Sequence, residues 1–260
     1  MTRVPLVGTG WKMNIGAEAA RDYARTLIAA LRRIELGQVD IFVLPPFTSL
    51  HAAHAAFAGS KVEIGGQNMH WDSMGAWTGE ISAPMLIEAG CRYVELAHSE
   101  RLTHFGETYD TVRLKVDAAL AAGLVPILCI GEMADEKQAG QADETLTRQV
   151  RTVLSGRSAD AAAGVILAYE PRWAIGSPQA ASPDYVAERH FRLRALMEAD
   201  FGAEAAARSR IIYGGAVTPE SGPSLMALPD VDGLFIGRAA WTPEGFARMV
   251  EIVAASSVYP

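Results

Sequence analysis

Val125-Pro126-Ile127-Leu128-Cys129-Ile130 is an unbroken apolar run between two stretches of helical spacing, Thr108–Ala122 before it and Asp143–Leu154 after it. A strand with one wet face alternates apolar and polar residues. A run with no polar member predicts a strand covered on both faces, as in a parallel sheet flanked by helices. The same pattern recurs along the chain. Val4–Val7, Val39–Leu44, Lys61–Ile64, Tyr93–Leu96, Val165–Ala168, Arg210–Tyr213 and Leu234–Ile236 bring the strand candidates to eight. Helical spacing returns over Glu18–Ile34, Ser182–Ala199 and Thr242–Ala255. Ser182-Pro183-Asp184 and Thr242-Pro243-Glu244 both read as an N-cap followed by a proline in the first turn. The Ala-rich, polar stretch Arg157–Ala163 reads as a surface loop.

Strand starts lie roughly 20 to 45 residues apart, room for a crossover helix each time. Eight β-then-α units in 260 residues predict an α/β fold, a closed (β/α)8 barrel made by one domain over residues 1–260. The competing architecture is an open, doubly wound sheet. No Gly-x-Gly-x-x-Gly follows the first run, which argues against a dinucleotide site.

Composition narrows the partners. Half the residues are apolar, enough for a large core, and Lys+Arg 23 against Asp+Glu 30 gives a net charge of −7. A protein working on nucleic-acid backbone normally carries the opposite sign, although a local cationic site is compatible with an acidic surface. The two cysteines, Cys91 and Cys129, sit in apolar runs and predict free buried thiols in a cytoplasmic protein. No apolar run approaches the ~20 residues of a membrane helix, and the N-terminus reads as a strand rather than a secretory leader. There is no His-x-x-x-His pair and no carboxylate cluster at metal spacing along the chain, so neither a metal nor another cofactor is expected.

In a β/α barrel the chemistry sits on the loops after the strands. Polar residues gather there: Lys12 after strand 1, Gln67 and Asn68 after strand 3, His98 and Glu100 after strand 4, Glu170 at the end of strand 6. Gly214-Gly215 after strand 7 and Gly237-Arg238 after strand 8 expose backbone N–H groups, and with a short helix N-terminus they make a phosphate cradle. A carboxylate, an imidazole and a lysine around a small phosphorylated substrate suit proton transfer beside a carbonyl. Glu170, read as solvent-accessible, takes a proton from carbon, and neutral His98 donates to the carbonyl oxygen. Pro171–Ser177 follows the base and reads as a lid that keeps water from the intermediate.

Trp11-Lys12-Met13-Asn14, Ala97-His98-Ser99-Glu100-Arg101, Cys129-Ile130-Gly131-Glu132, Ala168-Tyr169-Glu170-Pro171, Trp173-Ala174-Ile175-Gly176 and Tyr213-Gly214-Gly215 occur in one order over nearly the whole chain. In these motifs the sequence resembles the triosephosphate isomerase family of TIM barrels, whose glutamate base, neutral histidine and closing lid are well known. The resemblance implies that Lys12 contacts substrate, that His98 is the electrophile and Glu170 the base, and that Glu100 supports Lys12 through an ion pair. It also implies that Gly176, Ala216 and the residues near Gly237 surround the phosphate, next to the Gly214-Gly215 and Gly237-Arg238 backbone already read as its cradle. Residues 67–80 are similar to the loop by which family dimers enter the neighbouring subunit. That implies a homodimer with Thr78 near the neighbour's site, and with Trp71 and Trp77 supplying apolar area.

Four positions depart from the family pattern. Gly10 replaces an Asn that reaches the substrate, Arg238 replaces the second Gly of a Gly-Gly pair, Ala216 replaces Ser, and Arg172 replaces Val. The segments Gly8–Lys12, Gln67–Trp71 and Leu234–Trp241 resemble the L-erythrulose-1-phosphate isomerases of erythritol breakdown. That resemblance implies a four-carbon substrate, with Gly10 making room for a hydroxymethyl group and triose phosphate as the alternative.

Overall fold

A computed structural model describes residues 3–176 and 180–256. Eight parallel strands close in chain order: β1 (Leu6–Gly10), β2 (Asp40–Leu44), β3 (Val62–Gly66), β4 (Cys91–Leu96), β5 (Val125–Ile130), β6 (Ile166–Tyr169), β7 (Ile211–Tyr213) and β8 (Gly233–Ile236). β1 pairs with β8 from Leu6–Gly233 to Thr9–Ile236, so the sheet has no edge and the open alternative is excluded. The chain is therefore a (β/α)8 TIM barrel. No helix among the described residues is long and apolar enough to cross a membrane.

The unbroken apolar runs follow from the two faces of each strand. One set of side chains points into the barrel: Leu6, Phe42, Leu44, Tyr93, Ile127, Cys129, Ile166, Ala168, Ile212 and Phe235. The alternate set, including Val7, Val43, Val94, Leu128, Leu167 and Ile236, packs outward against the helices. Inside, Phe42 lies 5.1 Å from Tyr93 and 5.5 Å from Phe235 between ring centroids. Gly8 admits that ring, since a Cβ there would sit 2.0 Å from Phe42 Cζ. β1 consequently runs on through Gly8 and Gly10, whereas the sequence reading ended it at Val7.

The five long helices fall at Ala17–Leu31, Tyr109–Ala122, Ala142–Leu154, Pro183–Phe201 and Pro243–Ser256. Ser182 caps one by accepting from Tyr185 N at 3.3 Å, and Thr242 accepts from Gly245 N at 3.2 Å. Three crossovers use shorter helices that the apolar periodicity did not register, Leu50–Phe57, Ala83–Glu88 and Gly222–Met226. The stretch expected as a loop over 157–163 instead contains a one-turn helix, Ala159–Ala163, because the Ser158 hydroxyl accepts from Ala161 N at 3.2 Å.

Candidate active site

β4 ends at Leu96, and the chain turns through Ala97 at φ 63° to place His98 at the N-terminus of helix Ser99–His104. His98 Nδ1 accepts from the Glu100 backbone N–H at 3.2 Å. The proton of the neutral ring therefore sits on Nε2, which faces Glu170 Oε2 at 3.9 Å. Burial, reinforced by the Lys12 charge, pushes the His98 pKa down to about 4. The ring is thus a neutral donor near pH 7.

Glu170 follows β6, its N–H donating to Ile130 O at 2.8 Å. Contrary to the solvent-accessible base expected from sequence, its side chain is only 6% exposed. Its Oε2 has no hydrogen-bond partner among the described residues. Burial first, and then the nearby Glu95 charge, push this carboxyl well above the ordinary range. Gly214 supplies the space, since a Cβ there would lie 2.7 Å from the Glu170 carboxylate.

Lys12 has left-handed backbone, φ 51°, an unusual conformation for a side-chain-bearing residue. Gln67 holds that turn, its Nε2 donating to Lys12 O at 2.9 Å and to Leu44 O at 2.8 Å. Lys12 Nζ pairs with Glu100 Oε1 at 2.5 Å, the contact expected from the motif. Burial works against the Glu100 charge, but the Lys12 hydrogen bond and the His98 ring hold its pKa below the ordinary value.

The sequence reading overlooked Glu95. It is 6% exposed, on the inward face of β4 two residues beyond Tyr93. Its flanks, Val94 and Leu96, hid it inside an apolar run, and the period-2 alternation from Tyr93 is the signal that exposes it. The expectation that no carboxylate cluster has metal spacing was drawn along the chain. In space, ligand atoms of Glu95, His98 and Glu170 all lie within 4.8 Å of one another, a grouping that could hold a cation. Glu95 also stands at the open side of Gly10. A Cβ on Gly10 would meet Glu95 Oε2 at 3.8 Å and Phe235 Cζ at 3.9 Å.

The remaining candidates occupy the same mouth less tightly. The β1–β8 pairing ends at Thr9–Ile236, so Gly10 and Gly237 are the next residues on each side. Gly237 and Arg238 are exposed, Arg238 has no ion-pair partner among the described residues, and Ala216 is half-buried. Gly215 is fixed by packing, because a Cβ there would lie 2.1 Å from the Tyr213 hydroxyl. Gly176, at φ 70°, borders open space. Ser177, the last residue of the expected lid, lies outside the described residues. The preceding turn is tethered. Trp173 Nε1 donates to Glu132 Oε1 at 2.7 Å, and Arg172 Nη2 donates to Thr103 Oγ1 at 2.7 Å. Buried Glu132 also accepts from the Tyr169 and Tyr185 hydroxyls. Residues 72–80, including Thr78, are all exposed, and His70 stacks between Trp71 (4.1 Å) and Trp77 (4.3 Å).

A closed eight-stranded barrel with a buried Glu/His cluster at the C-terminal ends of its strands defines an enzyme of the isomerase type. The triosephosphate isomerase family model matches residues 5–253. The chain is 44% identical over 252 residues to triosephosphate isomerase of Symbiobacterium thermophilum, covering 97% of this chain and 98% of that one. It is 43% identical over 242 residues to L-erythrulose-1-phosphate isomerase of Mesorhizobium japonicum, covering 92% and 93%. The crystal structure of triosephosphate isomerase from Bartonella henselae aligns with a TM-score of 0.85 at 34% identity, over 96% and 98% of the two chains. The chain belongs to the triosephosphate isomerase family and is a TIM-barrel sugar-phosphate isomerase.

Proposed function

We propose that this chain, acting as one domain over residues 1–260, interconverts L-erythrulose 1-phosphate and D-erythrulose 4-phosphate. Glu170 removes the proton from the hydroxyl-bearing carbon beside the carbonyl. His98 donates from Nε2 to the carbonyl oxygen as negative charge develops, and the proton returns to the former carbonyl carbon. Lys12 faces the developing charge and the phosphate. Backbone at Gly176, Gly214, Gly215, Ala216 and Gly237, together with Arg238, holds the phosphate. The turn from Pro171 to Gly176 is the part of the lid nearest the base. The proton transfer itself uses only these side chains.

The observation that carries the four-carbon reading is the pair Gly10 and Glu95. The position where triosephosphate isomerases carry Asn has no side chain here, and a buried carboxyl stands 3.8 Å from where its Cβ would begin. The triose phosphate reading is supported by the unaltered Lys12, His98 and Glu170 set, which serves either substrate. The relatives named for the two activities are equally similar. Comparing kcat/KM on L-erythrulose 1-phosphate and dihydroxyacetone phosphate decides between them. The four-carbon substrate is expected to be preferred, and a clear preference for the three-carbon one overturns the reading.

The partner reading follows from the exposed loop. We propose a homodimer in the cytoplasm, joined through residues 67–80, with Thr78 close to the neighbour's site. A lone chain would leave the half-exposed Trp77 ring in water, and aromatic anchors of this kind are enriched at interfaces. Sedimentation of wild type should give a dimer and Trp77→Glu a monomer. A wild-type monomer at micromolar concentration rejects this assembly.

A further inference from the structure

Glu95 has no part in the proton transfer proposed above. The period-2 geometry of β4 directs it into the barrel, where the layer below is apolar: Tyr93, Phe42 and Phe235. Among the described residues its only hydrogen bond comes from the Cys129 thiol, Sγ to Oε1 at 3.8 Å, a weak donor at long range. Burying a carboxyl on such terms is costly, and a Leu or Ile would satisfy the packing alone. The position of Glu95 accounts for the cost. One of its oxygens lies within 4.8 Å of ligand atoms on both His98 and Glu170, the two groups that bracket the reacting end of a substrate. Oε2 looks across the space over Gly10.

A four-carbon ketose phosphate differs from a three-carbon one at that end. A hydroxymethyl group replaces a hydrogen on the reacting carbon, remote from the phosphate. It brings one hydroxyl that needs a polar partner, and beside Gly10 the nearest side chains are Glu95 and the apolar ring of Phe235. We propose that Glu95 is a specificity-determining residue, its carboxyl hydrogen-bonding the terminal hydroxyl of a four-carbon substrate in the space left by Gly10. The inference rests on the four-carbon reading given above. Burial, only partly offset by Lys12, pushes the Glu95 pKa up to about 8. A neutral carboxyl both donates and accepts, and it does not add a second negative charge beside Glu170 during proton abstraction. Gly10 and Glu95 then form a matched pair, one providing volume and the other the polar contact.

The test measures kcat/KM for wild type, Glu95→Gln and Glu95→Leu on L-erythrulose 1-phosphate and on dihydroxyacetone phosphate. Equilibrium binding of inert erythritol 4-phosphate and glycerol 3-phosphate is measured alongside. Glu95→Leu should lose about 100-fold on the four-carbon substrate and less than about 5-fold on the three-carbon one. Glu95→Gln, which retains a donor and an acceptor, should stay within about 10-fold of wild type on both. Only the four-carbon polyol phosphate should bind more weakly to the Leu variant. Equal losses on both substrates, or no loss on either, overturn the proposal, because a purely structural role does not distinguish the two. Failure of the underlying reading is separately visible, as a wild-type preference for dihydroxyacetone phosphate before any substitution. If Glu95→Leu does not fold, Glu95→Met supplies the apolar arm at similar length.

Discussion

Glu170→Gln is expected to lower kcat by about 10³-fold, within the range for removal of a positioned general base, while leaving the fold intact. The amide keeps the volume and removes the basic oxygen. The same change is expected to raise thermal stability, and the sign follows from burial. The carboxyl has its pKa pushed well above the ordinary value of 4.5 in the folded chain, so the unfolded chain ionises first. Rising pH above that value therefore costs the wild type folding free energy that the Gln variant does not lose. The Tm difference should be small near pH 4.5 and grow through neutrality in favour of the variant. An unpartnered Oε2 points the same way, since no hydrogen bond is sacrificed there. A kcat within 10-fold of wild type would remove Glu170 from the reaction, whatever happens to Tm.

Lys12→Met should reduce kcat/KM by about 10³-fold, equivalent to about 4 kcal/mol and comparable to the loss of one charged donor at a developing anion. Two effects combine. In the proposed reaction the substrate loses its cation, and Glu100 loses the partner paired with it at 2.5 Å. The thioether keeps the length of the side chain, so the turn fixed by Gln67 should survive. The variant carries its own spectroscopic control. Lys12 is one of the charges holding the His98 pKa near 4, second to burial, so an NMR titration of the imidazole should move upward in Lys12→Met. Unchanged kcat/KM with an upward His98 shift would leave Lys12 as an electrostatic neighbour and not a substrate contact.

The strands were legible because both of their faces are apolar, which is what an unbroken run reports. The end of β1 was not, because its inward positions are Gly8 and Gly10. The buried volume there belongs to Phe42, distant in sequence. Helix Ser99–His104 is shorter than two turns, too short to display a period. The motif residues of the site were legible as strand-end polar groups, but their surroundings were not. The burial of Glu170 depends on Gly214, 44 positions further on, and the carboxyl beside Gly10 arrives from β4. Glu95 was lost because its outward-facing neighbours, Val94 and Leu96, dominate a run scored without regard to face.

The layered barrel interior separates two kinds of inheritance. Phe42, Tyr93 and Phe235 fill its middle and bear on whether the chain folds. Gly10, Glu95 and Arg238 lie above them at the mouth, where a Cβ added at Gly10 would reach Phe235 Cζ only at an ordinary 3.9 Å. If Gly10 and Glu95 set substrate choice as proposed, whole-chain likeness mostly counts positions outside that choice. Relatives bearing two different substrate names stand at 44% and 43% identity to the same sequence, and a difference confined to the mouth would leave such figures almost level.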